Sequence, residues 1–103
     1  MDQKTATISN ERLEKYFSIT KEALAKAKSA PCGTPCCSKR TEHAHTVLDM
    51  AQRYYDDALF FLKKGDAVTA FAALNYAHGW LDAGARLGLF QVTDSQLFTV
   101  DGV

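Results

Sequence analysis

Both prolines of this 103-residue chain, Pro31 and Pro35, fall in one short stretch, PCGTPCC, with Gly33 between them. Proline has no amide hydrogen to give and its ring collides with the preceding turn, so no helix runs through this stretch. It separates a first segment ending near Ser29 from a long second one, across a loop of about ten residues. In the first segment Leu13, Tyr16, Phe17, Thr20, Leu24 and Ala27 recur at steps of three and four, one face of a helix. Ser9 or Asn10 can cap its free amides, and Glu11 and Glu14 sit beside the positive end of its dipole. In the second segment Ala44, Val47, Leu48, Ala51, Tyr55, Ala58 and Leu62 form a like stripe. It stops at "KKGD": Gly65 can take the left-handed conformation that ends a helix, Lys63 and Lys64 suit the negative dipole end, and Asp66 can cap the next helix. So tight a junction predicts an antiparallel helix pair.

The third helix carries two apolar faces. Phe71, Leu74, Ala77, Leu81 and Ala85 make one, and Ala70, Ala73, Trp80, Gly84 and Leu87 make the other, which predicts burial on more than one side. No segment alternates with period two, so no strand is expected. The expected fold is all-α, a three-helix up-and-down bundle over residues 9–90 with helices at about 9–29, 39–64 and 66–87. Residues 1–8 stand outside it as a polar, disordered N-terminus. Residues 91–103 form a C-terminal tail after Leu89 and Phe90 have packed. Helix-turn-helix solenoid repeats fit less well, since a solenoid needs several hairpins and only one is present.

Composition narrows the function classes. Lys plus Arg and Asp plus Glu balance at 12 each, so no net field draws the chain to nucleic acid or anionic lipid. The N-terminus lacks the apolar core of a secretory signal, and the longest charge-free run, Ala67 to Leu81, is too short to span a bilayer. A soluble, cytoplasmic protein without a membrane partner is expected. The three cysteines crowd into one loop, unlike the spread framework of a small secreted domain.

The run "YYDDALFFLKKGDAVTAFAALNYAHGWLDAGARLGLF", from Tyr54 to Phe90, resembles the DUF357 family of small archaeal proteins of unknown function, and "ERLEKYFSITKEALAKAK" is similar to its first helix. The resemblance implies a three-helix bundle in an archaeal cytoplasm. It implies no activity and no functional residues. The cysteines of the linker depart from the family pattern.

Four groups of residues are candidate sites. In the linker, Cys32, Cys36 and Cys37 with His43 supply the thiolates and imidazole of a zinc site, although the spacing is not a paired C-x-x-C signature and His43 and His45 point to opposite sides of a helix. Free or reversibly oxidised thiols, or a disulfide from Cys32 to Cys36 or Cys37, are the competing readings. No cofactor is expected unless that zinc site forms. On the third helix Asn75, His78 and Asp82 share one side, level with Gln52, Asp49, Arg53 and Asp56 of the second helix, and make a polar cluster able to hold a metal, transfer a proton or simply satisfy a helix interface. Arg40 and His45, with four residues between, match a spacing found in HEPN-type ribonucleases, a short motif common by chance at the start of a helix. Lastly, Phe60, Trp80, Ala73 and Gly84 are expected to form an interaction surface, because the third helix has more apolar face than a small bundle can cover. The leading expectation is a noncatalytic interaction module that pairs with itself or another protein. A metal or thiol-redox protein and an RNA-binding or RNA-cleaving domain are the alternatives.

Overall fold

The computed structural model describes residues 8–30, 38–92 and 97–98. Its elements are α1 (Asn10–Ser29), α2 (Ser38–Lys63) and α3 (Ala67–Arg86), and no strand occurs among the described residues. The helix ends follow from local chemistry. The Ser9 hydroxyl accepts from the Arg12 amide and opens α1. Asp66 opens α3 by accepting from the Thr69 amide at 3.1 Å. The hydrogen bonds to Thr69 hold its carboxyl below the usual carboxylate range, so the stabilisation from the ionised cap is present above that range and is lost as pH falls through the lowered value.

Both α2 and α3 end in the same way. Gly65 (φ 83°) and Gly88 (φ 73°) adopt the left-handed conformation. The amides of Gly65 and Asp66 donate to the Leu62 and Phe61 carbonyls, and those of Gly88 and Leu89 to Ala85 and Gly84. These paired bonds satisfy carbonyls the helices leave free.

Contacts fix the up-down-up order. Tyr16 and Thr20 meet Phe71 and His78, so α1 and α3 run parallel. Tyr54 stacks on Tyr76 and Arg40 reaches Leu87, so α2 and α3 run antiparallel. The α2–α3 seam is the most extensive and the α1–α2 seam the least. Ala51, Ala58, Ala70 and Ala77 are fully buried, with Ala73 and Gly84 beside them, so the α2–α3 seam is built of small residues. Larger side chains fill the flanks. At the hairpin-turn end Leu13, Ala58, Ala73 and Leu74 pack together, and at the other end Leu24, Val47 and Leu81 pack with Leu89, Phe90, Leu97 and Phe98.

That second cluster extends the core past the boundary expected at residue 90. Leu97 is 5% exposed and Phe98 2%. α2 is 26 residues long and α1 only 20, and the end of α1 meets α2 at the Lys28–Gln52 pair, so α1 cannot cover the first turns of α2. The residues after α3 take that place. The N-terminal segment 1–7 lies outside the described residues, as do 93–96 and 99–103.

No described helix is long and apolar enough to cross a membrane.

Two substitutions test this packing. A Cβ on Gly84 would stand 2.4 Å from the Phe90 ring and 3.0 Å from Val47, whereas one on Gly79 would meet nothing within 4 Å. Chemical denaturation should show Gly84→Ala destabilising by about 1–2 kcal/mol, overpacking exceeding the helix-propensity gain. Gly79→Ala should stabilise by up to about 1 kcal/mol; equal effects would mean that Phe90 does not sit against Gly84. Phe98→Ala should cost about 3 kcal/mol or more. A loss below about 0.5 kcal/mol, typical of surface sites, would return residues 97–98 to a tail.

Candidate functional site

The outward faces of the three helices differ in kind. α1 turns Glu11, Glu14, Lys15, Lys21, Glu22 and Lys26 to solvent, and α2 turns out Glu42, Asp49, Arg53, Asp56 and Asp57. On α3 the exposed positions Val68, Ala72, Tyr76, Gly79 and Ala83 follow one another at steps of four, four, three and four. They form one stripe without a charge, and Leu87, 66% exposed, continues it past the helix end. Tyr76 is 63% exposed and stacks on Tyr54 of α2 with ring centroids 5.3 Å apart. Asn75, Asp82 and Arg86 border the stripe.

The interaction surface expected from the sequence is not assembled as drawn. Ala73 and Gly84 are interior residues of the α2–α3 seam and cannot meet a partner. Trp80 is half-buried against the core. Phe60 is 54% exposed, as expected from its place on the polar face of α2. It lies edge-to-face with Phe61 and under the Lys64 ammonium, and it points about 120° around α2 from Tyr54. Phe60 and the α3 stripe are therefore separate.

The polar cluster forms beside this stripe, on the edge of α3 that turns toward α1. His78 turns to α1, its Nδ1 3.5 Å from the Thr20 hydroxyl and its Nε2 3.7 Å from an Asp82 carboxylate oxygen. Thr20 is the buried polar side chain of α1, at 2% exposure. Tyr16, Thr20, Asn75, His78, Gly79 and Asp82 line a cleft of about 320 Å³ between α1 and α3. The α2 residues expected beside His78 pair elsewhere. Arg53 donates to Asp49 at 2.8 Å, a contact that raises the guanidinium pKa, and Gln52 donates to Asp56 at 2.9 Å. The level along the bundle was legible, but His78 faces α1 rather than α2.

Cys32, Cys36 and Cys37 lie outside the described residues. His43 is exposed and lines an apolar hollow of about 400 Å³ with Arg40, Thr46, Val47, Leu87 and Leu89. Among the described residues no three His, Cys, Asp or Glu side chains gather as a metal-binding group. Arg40 has a structural role: its guanidinium donates to the Leu87 carbonyl at 2.7 Å, tying the start of α2 to the end of α3. Its Nε is buried without a hydrogen-bond partner among the described groups. His45 is exposed and, five residues on, lies about 140° around the helix, so the two do not converge.

Sequence reasoning also missed a concavity between α1 and α2. Leu13, Phe17, Tyr55, Leu59 and Leu62 line an apolar groove of about 400 Å³ there. Burial, with Asp56 nearby, pushes the Tyr55 phenol up. Each groove residue fits an ordinary core stripe, and the gap appears only once the helices are placed.

Taken together these features define a small all-α bundle with a polar cleft on one seam and an uncharged outer helix face. The chain belongs to the DUF357 family, described as proteins of unknown function, whose model matches residues 15–90. No curated protein and no solved structure matches it.

Proposed function

We propose that this protein is a noncatalytic helical interaction module of the cytoplasm that pairs with a second copy of itself through the outer face of α3. The observation that carries the reading is the charge-free stripe Val68, Ala72, Tyr76, Gly79 and Ala83, all exposed on a helix whose other faces are already packed. A surface helix ordinarily turns charged side chains to water, as α1 and α2 do, and an extended apolar face left open is a mark of an interaction site.

The stripe has the composition a helix pair requires. Gly79 and Ala83, one turn apart, let a facing backbone come close, while Val68 and Tyr76 supply larger contact area. Tyrosine is enriched among residues that dominate interface energy, and stacking on Tyr54 lowers the ordering cost of Tyr76 on binding. Equal numbers of acidic and basic residues leave two copies without net repulsion. One helix-to-helix contact buries less than the roughly 800 Å² per partner of a standard interface, so the dimer is of modest affinity.

Sedimentation equilibrium tests the pairing. The wild-type chain, 11.4 kDa, should approach twice that mass in the micromolar range. Ala83→Arg and Tyr76→Glu should return it to a monomer of unchanged helix content, and Phe60→Glu should leave the dimer intact. A wild-type monomer throughout that range, or a dimer that survives both α3 substitutions, would remove the outer face of α3 as the contact.

A further inference from the structure

The α1–α3 cleft, which adjoins the pairing stripe at Gly79, supports a second inference drawn from different observations. We propose that it binds one d-block dication of the zinc type, with His78 Nε2 and an Asp82 carboxylate oxygen as its protein ligands and water in the remaining positions.

Helical spacing brings the two ligands together, since residues four apart share a face. Their separation suits a shared ion better than a direct bond. Nε2 and Oδ1 are 3.7 Å apart, past the roughly 3.5 Å at which a hydrogen bond is lost. Two ligands about 2.1 Å from a tetrahedral zinc stand roughly 3.4 Å apart, a few tenths of an ångström from the observed spacing. The other ring nitrogen, Nδ1, faces the buried Thr20 hydroxyl at 3.5 Å, the long end of hydrogen-bond reach. A proton on Nδ1 donated to that oxygen leaves the Nε2 lone pair directed into the cleft, the second contact that metal-bound histidines commonly make.

The surroundings allow an ion with water. The His78 and Asp82 side chains are 24% and 26% exposed, accessible yet partly desolvated. The cleft of about 320 Å³ has room for hydrated metal, and Gly79 at its rim has nothing within 4 Å of a Cβ position. Asn75 lines the same cleft and offers a neutral oxygen to the ion or to its water. Asp82 makes a further polar contact, which the ion would share or displace. An imidazole with a carboxylate favours zinc, cobalt or nickel over calcium and magnesium, which prefer all-oxygen shells.

The test uses the full chain with Cys32, Cys36 and Cys37 replaced by serine, so that linker thiolates do not compete. Titration with cobalt(II) should produce the intense visible absorption of a four- or five-coordinate ion and saturate at one per chain, and zinc should displace it. His78→Ala should abolish the spectrum. Thr20→Val, with helix content unchanged, should weaken binding by about tenfold, the cost of losing the hydroxyl that orients the His78 ring. A spectrum that remains that of the hydrated ion, or binding equal in His78→Ala, would overturn the site. Binding at full affinity in Thr20→Val would overturn the part given to Thr20.

Discussion

The close approach of α2 and α3 is the constraint from which the other contacts follow. Ala51, Ala58, Ala70 and Ala77 are fully buried along this seam, with Ala73 and Gly84 completing it. Side chains this small let two helices approach near the lower end of the usual 8–10 Å, where backbone and Cβ atoms supply much of the dispersion contact. They bury little area each, so the seam needs support from its flanks. Leu13 and Leu24 of α1 provide it on one side, with Leu74 and Leu81 of α3. Phe90 provides it at the far end, in a space that exists because residue 84 has no Cβ.

The mismatch in helix length explains the segment after α3. The first turns of α2 run beyond α1, and there Val47 would face water without a cover. Leu89, Phe90, Leu97 and Phe98 close that end of the core. Arg40 reinforces it by binding the Leu87 carbonyl where α3 turns into this segment. At the opposite end the apolar groove between α1 and α2, at Leu13, Phe17, Tyr55, Leu59 and Leu62, remains open. One helix end is covered by chain from elsewhere, the other is left exposed to solvent.

Much of this was legible in the sequence where local chemistry decides. Helices expected at about 9–29, 39–64 and 66–87 occupy 10–29, 38–63 and 67–86, and at four of the six ends Ser9, Gly65, Asp66 and Gly88 act through their own backbone and side-chain bonds. What was not legible depends on the neighbours of a residue. α3 is apolar on two sides, so periodicity cannot say whether Ala73 and Gly84 face a partner or the interior; their match to Ala51 and Ala58 in size decides it. The level of His78 along the bundle follows from its distance to Gly65, whereas the side it faces depends on where α1 lies. Leu97 and Phe98 carried no signal, being two apolar residues in a short non-periodic stretch. The exposed stripe on α3 could have been found by asking which face of each helix lacks charge, a property of the sequence alone.

The hierarchy of the seams has a dynamic consequence. If the α2–α3 seam holds the molecule together, its amides open only when the whole chain unfolds, while α1, joined by less contact, opens locally at lower free energy. Native-state hydrogen exchange resolved by residue measures this directly. The account predicts the slowest exchange at Ala51 to Ala58 and at Ala70 to Leu81, with α1 exchanging faster. Protection in α1 equal to or above that of α3 would contradict it, and the small-residue seam would no longer be the element on which the fold rests.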